Sequence, residues 1–282
     1  MEQRELGRTG EKLSVVGFGG IVVMNATPAD AARFVGEAVD AGVTYFDVAP
    51  SYGNAQERLG PALEPYRSRV FLACKTGKRT RNEAALELRQ SLAHLKTDHV
   101  DLYQLHGLTS DEEVQTAFGP GGAMEELVEA KQLGLVRHLG FSAHSEHAAL
   151  TALAHGGFDS VLFPINWYAW NLGGFGPRVV DAAAERGVGR LALKAMAHGK
   201  LAKNEARDWG KCWYRPLDDA ELAATAVRWT LSQPITAAVS PSHIELLRLM
   251  IRAVADLRPP TDDEIGRLRA HLGQRQPVFE QA

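Results

Sequence analysis

Residues 42–60 read GVTYFDVAPSYGNAQERLG. A β-branched and aromatic run, Val43 to Phe46, meets an acid, Asp47, and then breaks into a loop containing Pro50, Ser51, Gly53 and Asn54. A short apolar run bounded by turn residues reads as a buried strand. The stretch after it, roughly 54–64, has helical spacing, so the segment is one strand–loop–helix unit. The turn needs its Pro, Ser, Gly and Asn. It needs neither a carboxylate at the strand end nor the phenol of Tyr52 five residues later.

The same unit recurs in both directions. The apolar runs are LSVVGFGG, VTYFDVA, VFLACK, VDLYQLH, VRHLGFS, SVLFPIN, GRLALKA and TAAVS. Helix-like segments lie between and after them, at roughly 28–42, 54–64, 82–95, 121–133, 145–155, 174–186, 218–232 and 242–257. Thr27-Pro28 supplies an N-cap hydroxyl ahead of a proline at the first helical position. Gly42, Gly134 and Gly187 suit the left-handed position that ends a helix. Strict alternation predicts a parallel sheet with right-handed crossovers. The strands are apolar nearly throughout, as when both faces are covered. Eight units predict an α/β fold, the (β/α)8 TIM barrel, as one domain over 1–282. GRTGEK near the start reads as a turn, so a short N-terminal β-hairpin is expected before the first long strand. An open dinucleotide-binding sheet is disfavoured, because VVGFGGIVV is not G-x-G-x-x-G and no helix opens at once. The longest interruption of the pattern is 197–216.

Composition narrows the function. The chain has 282 residues, 45% hydrophobic and 23% charged, with a net charge of −3. These are globular proportions without the basic field that nucleic acid or anionic lipid would attract. The two cysteines, Cys74 and Cys212, form no close pair, which fits a reducing cytoplasmic compartment. No signal segment and no membrane-length apolar run is read, so neither nucleic acid nor membrane is expected as a partner.

Barrels place chemistry at the C-terminal ends of their strands. Strand two ends on Asp47 with Tyr52 in its loop, strand three on Lys75, strand four on His106. Each alone has a structural reading: a turn cap, a solvated cation beside Lys78 and Arg79, a rim histidine, a rim aromatic. Together they form a possible cluster of acid, phenol, amine and imidazole. An ammonium near a phenol lowers its pKa, and a carboxylate keeps that ammonium charged. The imidazole adds a second donor. Such a set suits a carbonyl oxygen gaining negative charge during hydride delivery, with the hydride coming from a cofactor. No Ser or Cys nucleophile arrangement and no metal-ligand spacing is present, so no metal is expected. Trp167, Tyr168 and Trp170 are read as walling a substrate pocket in preference to packing the rim. Trp209 and Trp213 either close over the site or pack within the long loop.

The chain resembles the aldo-keto reductase family over nearly its whole length. The resemblance rests on GFGG after strand one, FDVAPSYGNAQERLG, the lysine ending VFLACKTG, HVDLYQLHG, and AMEELVEAKQLGLVRHLGFS. It implies NAD(P)H-dependent reduction of an aldehyde or ketone to an alcohol. By position it implies Tyr52 as general acid, Lys75 lowering its pKa, Asp47 pairing with Lys75, and His106 orienting the carbonyl. For the cofactor, NADPH or NADH, it implies Gly19, Gly20, Ser142, Asn166 and Ser240, joined by Ser242 and Arg248 at the start of the last barrel helix. NADPH is the expected preference, with Arg248 on the extra phosphate. The chain departs from the family pattern in several places. Ala143 and His144 follow Ser142 where an asparagine is common. Phe163-Pro164 replaces a glutamine, and strand seven carries no stacking aromatic. Ser240 stands where a glycine is common, and Leu249 and Met250 stand near the adenine positions. These departures leave a second reading, a non-catalytic NADPH-binding barrel that reports redox state to a partner.

Overall fold

The computed structural model describes residues 1–272 and 275–281. The chain opens with the antiparallel hairpin β1 (Gln3–Glu5) and β2 (Lys12–Ser14), whose turn uses Gly7 and Gly10 at positive φ. Alternation then begins. β3 (Val16–Gly19) precedes α1 (Pro28–Asp40), β4 (Tyr45–Asp47) precedes α2 (Ala55–Leu63), and β5 (Phe71–Thr76) precedes α3 (Arg81–Leu95). β6 (Val100–Leu108) is followed by α4 (Asp111–Phe118) and α5 (Ala123–Gln132). β7 (Val136–Ala143) leads to α6 (Glu146–His155), and β8 (Ser160–Pro164) to α7 (Trp167–Asn171) and α8 (Pro177–Glu185). β9 (Gly189–Leu193) runs into an antiparallel pair, β10 (Ala197–Lys200) and β11 (Tyr214–Pro216), before α9 (Ala220–Leu231). β12 (Ala237–Val239), α10 (Ile244–Ala253) and α11 (Asp262–Leu272) complete the chain.

β3 to β9 and β12 form a closed parallel barrel, with β12 paired to β3 on one side and β9 on the other. The expected hairpin and all eight expected strands are therefore present. The helix signals also hold. Thr27 Oγ1 accepts from the Asp30 N–H with Pro28 at the first turn, and Gly42, Gly134 and Gly187 have φ of 87°, 77° and 66°. Among the described residues three α-helices lie outside the expected set: α4, α7 and α11. The β10–β11 pair lies inside what the sequence presented as an interruption.

Period-two alternation splits the core in two. Outward residues such as Phe46, Leu72, Tyr103, Phe141 and Phe163 pack under the helices. Inward residues Tyr45, Phe71, Ala73, Leu102, Leu162, Leu191 and Ala237 fill the barrel. Leu6 and Leu13 of the hairpin are fully buried in that inner cluster and seal one mouth. Gly17 is inward as well; a Cβ there would lie 2.5 Å from the Tyr45 ring, so glycine makes room for the tyrosine. No helix among the described residues is long and apolar enough to cross a membrane.

Candidate active site

The same alternation that sends Tyr45, Ala73 and Leu102 inward sends Asp47, Lys75 and Gln104 inward two residues later, with His106 following Gln104. At the C-terminal mouth the barrel filling therefore changes from apolar to polar. Lys75 and Asp47 form an ion pair with side chains only 1% and 3% exposed. Asp47 also accepts from Gln104 Nε2 at 3.0 Å and from the Tyr45 hydroxyl at 3.2 Å. Lys75 Nζ lies 5.5 Å from the centre of the Tyr52 ring. The rings of Tyr52 and His106 meet edge to face, centres 5.8 Å apart. The backbone around His106 is pinned by Arg79, which donates to its carbonyl at 2.6 Å, and by Ser142, whose Oγ accepts from the Gly107 N–H at 2.8 Å.

Burial sets the protonation states. It pushes the Tyr52 phenol above its ordinary value; the Lys75 ammonium pulls the other way without cancelling it, and the Asp47 carboxylate adds to the rise. The expected lowering by Lys75 thus operates, but its net result is overridden by desolvation and the neighbouring carboxylate. The phenol keeps its proton at neutral pH. Burial opposes the charge on Lys75, yet Asp47 more than restores it, so the amine lies above its ordinary value. His106 is pushed down to about 3, by burial first and then by the Lys75 charge. Its imidazole is neutral. The Ser51 hydroxyl lies 3.4 Å from Nδ1; with Ser51 donating, the ring proton is assigned to Nε2.

A cavity of about 230 Å³ opens here. Asp47, Tyr52, Lys75, His106, Ser142, Gly19, Ser240 and Ser242 all line it. Gly20 packs behind it, where an added Cβ would lie 2.7 Å from the Val48 side chain. Asn166 is not on its wall. Its Oδ1 accepts from the Ala169 N–H and caps α7, while its Nδ2 is buried without an acceptor among the described residues. Arg248 also lies off the wall, in a bidentate pair with Glu37 of α1 at 2.6 and 2.8 Å. Trp167 and Tyr168 pack in the outer core and do not wall the cavity; α7, a helix the sequence did not announce, turns them there. Trp213 does line the cavity, brought over it by the β10–β11 pair together with Lys211, Cys212 and Tyr214. Trp209 instead donates to Asp218 at 2.8 Å.

Several contributors went unread in the sequence. Gln104 carried a signal, since it lies two residues before His106 on the inward face of β6. His144, Lys194 and Lys211 carried none. Among the described residues no three His, Cys, Asp or Glu side chains cluster as a metal site. Tyr52, His106 and Lys75 bring a protonated phenol, a neutral imidazole and a buried cation to a common space. These are the parts for giving a proton to an oxygen while its negative charge develops.

Comparison with known proteins gives the same direction. Residues 15–272 match the model described as "Aldo/keto reductase family". An oxidoreductase of Bacillus subtilis named YqkF is 26% identical over 306 residues, covering 97% of each chain. The L-galactose dehydrogenase of Arabidopsis thaliana is 31% identical over 157 residues, about half of each chain (50% and 48%). Among solved structures, the holo form of the aldo-keto reductase AKR11C1 from Bacillus halodurans superposes with a TM-score of 0.73 at 22% identity. That match covers 99% of this chain and 98% of the other, and supports the fold.

Proposed function

The chain belongs to the aldo/keto reductase family, and on that premise we propose that it reduces small aldehydes or ketones to alcohols with NADPH, Tyr52 giving the proton. As a family member it is a nicotinamide-dependent oxidoreductase acting on carbonyl compounds. The observation that carries the specific reading is the buried Lys75–Asp47 pair beside Tyr52 and His106 on one cavity wall.

Residues at the cavity suit the cofactor. Gly19 leaves the backbone bare where a Cβ would lie 2.6 Å from the Ser240 carbonyl. Its N–H donates to Ser240 Oγ at 3.0 Å. Ser240 and Ser242 lead into α10, whose first N–H groups have no side-chain cap, a place that favours phosphate. Asn166 stays off the cavity wall, and its buried Nδ2 has no acceptor among the described residues. From β9 the cavity receives Leu193, an apolar but not aromatic face. When bound, the cofactor supplies the hydride. His106 Nε2–H and the Tyr52 hydroxyl donate to the carbonyl oxygen, holding it between them. Lys75 stabilises the phenolate left when Tyr52 gives up its proton, and Asp47 keeps Lys75 aimed and charged. Gln104 and Tyr45 hold Asp47 from behind.

Ser242 and the N-terminus of α10 favour the phosphorylated nucleotide. Arg248 would join by exchanging Glu37 for the extra phosphate, since a guanidinium matches either anion. Mixing the protein with NADPH and an activated aromatic aldehyde, and following loss of the reduced-nicotinamide absorbance, tests the reading. Turnover that vanishes in Tyr52→Phe is expected. Tight NADPH binding with no turnover of any of a panel of aldehydes and ketones would favour the redox-reporting barrel instead.

A further inference from the structure

Three amines line the cavity, and two are accounted for. Lys75 is paired with Asp47, and Lys211 Nζ donates to the Val22 carbonyl at 2.9 Å, fastening the β10–β11 pair to the barrel. The third, Lys194, follows the last residue of β9. It is only 9% exposed, and among the described residues no carboxylate lies within 4.0 Å of it. Among the described residues its one hydrogen-bond partner is His144 Nε2 at 3.3 Å. The rings of Trp213 and Phe279 lie 5.2 and 5.3 Å from its Nζ. An ammonium has three donors; His144 takes one, and the aromatic faces satisfy the charge only weakly. The backbone of Lys194 also has φ of 64°, a region that a lysine seldom occupies. The fold therefore holds a buried, uncompensated amine on the wall of the reaction cavity by a backbone conformation lysine does not favour.

We propose that Lys194 is a specificity-determining residue that receives a carboxylate, so that the preferred substrates are carbonyl compounds carrying an acidic group. The proposal rests on the reductase reading and deepens it. A carboxylate entering the cavity supplies the acceptors that the ammonium lacks. It meets no negative wall, because the one carboxylate lining the cavity, Asp47, is already held by Lys75, Gln104 and Tyr45. Trp213, Leu162 and Leu193 supply apolar surface for the body of the substrate. The titratable groups facing the amine, His144 and His106, are both held neutral by burial. Burial brings the amine itself down to about 7, and an arriving acid group restores its charge. The contacts of Lys194 run to His144 after β7 and to the Trp213 and Phe279 rings. None runs to Ser240, Ser242 or the start of α10, where a cofactor phosphate is favoured.

The experiment compares kcat/KM for 4-formylbenzoate with that for 4-methylbenzaldehyde, in wild type, Lys194→Met and Lys194→Arg. Methionine keeps the length and the backbone cost while removing the charge. The acid-to-neutral ratio is expected to fall about ten- to hundredfold in Lys194→Met, the scale of one charge-assisted contact, and to persist in Lys194→Arg. NADPH dissociation constants, from tryptophan fluorescence, are expected to be equal in wild type and Lys194→Met. An unchanged ratio overturns the proposal. So does a ratio that falls only together with an equal weakening of NADPH, which would give the amine to the cofactor diphosphate. If neither aldehyde is turned over by wild type, the reductase reading has failed, and binding still decides about Lys194. In that case 4-(hydroxymethyl)benzoate and 4-methylbenzyl alcohol are titrated in the presence of NADP+. Preference for the acid, lost in Lys194→Met, supports the site, and equal affinity overturns it.

Discussion

Removing one member of the Lys75–Asp47 pair separates what the pair does for the fold from what it does for chemistry. In Lys75→Met the carboxylate stays buried with two neutral donors, Gln104 at 3.0 Å and Tyr45 at 3.2 Å, and no cation. Breaking a fully buried ion pair from one side costs about 3–5 kcal/mol. The two surviving donors put this site near the lower figure. A loss of roughly 3 kcal/mol lowers the midpoint of thermal unfolding by about 6–12 °C in a chain of this size class. Asp47→Asn is milder, about 1–3 kcal/mol, because the amide oxygen still accepts from Lys75, and the Gln104 amide, whose Oε1 is without a partner among the described residues, can turn to accept from the new NH2. The double variant is the informative one. It contains no buried charge, so its loss falls short of the sum of the single losses by roughly 2 kcal/mol. Urea unfolding followed by tryptophan fluorescence measures all three. Reductase turnover in the double variant stays near zero even though stability is partly regained, since no ammonium remains to stabilise phenolate. Additive losses in the double variant, or a Lys75→Met loss under about 1 kcal/mol, would refute the reasoning.

Tyr52→Phe keeps the ring and removes the proton, so kcat drops by about 10²–10⁴ while NADPH affinity holds; retention of a third of wild-type kcat would remove Tyr52 from its role. Acid weakens the fold through its histidines. His106 and His144 titrate at about 3 and His198 at about 4 in the folded chain, all lowered first by burial. The unfolded chain takes up these protons near 6.5 and the folded chain does not, so stability falls as pH drops from about 6.5 toward 3. The urea midpoint measured against pH checks this, and a flat profile between about pH 6 and 4 contradicts it. Arg248→Ala narrows the preference for NADPH over NADH by about tenfold or more; equal dissociation constants for the two in wild type would end the case for a preference.

Much of this molecule is readable from strand ends. Asp47, Lys75 and His106 each close an apolar run, and one rule about where barrels place chemistry gathers them before any coordinates exist. The hairpin is readable for a similar reason, since GRTGEK has a turn composition that little else explains. Local signals cannot announce pairings far apart in the chain. Arg248 has a phosphate-binding side chain about a turn and a half beyond a helix start, yet its partner is Glu37, 211 residues away. The β10 and β11 strands are three or four residues long and too short to show a period, so the arrival of Trp213 over the cavity had no local sign. Lys194 resembled any lysine after a strand; only burial, the missing counter-charge and a left-handed backbone set it apart. Trp167 and Tyr168 misled because aromatic density looks the same whether it faces a pocket or a helix layer.

The hairpin that seals the barrel has a consequence for how the molecule is assembled. Some of its docking partners are late in the chain: Arg4 donates to the carbonyls of Leu231 and Ile235, Thr236 Oγ1 donates to the Glu5 carbonyl, and Leu6 packs where a Cβ on Gly189 would lie 2.5 Å from it. The hairpin therefore cannot complete its docking until the last barrel strands are in place. Seating it closes a loop of more than two hundred residues, 231 between Thr236 and Glu5, and loops of that span close late because their ends meet rarely. The hairpin thus acts as a latch, thrown once the ring behind it is whole.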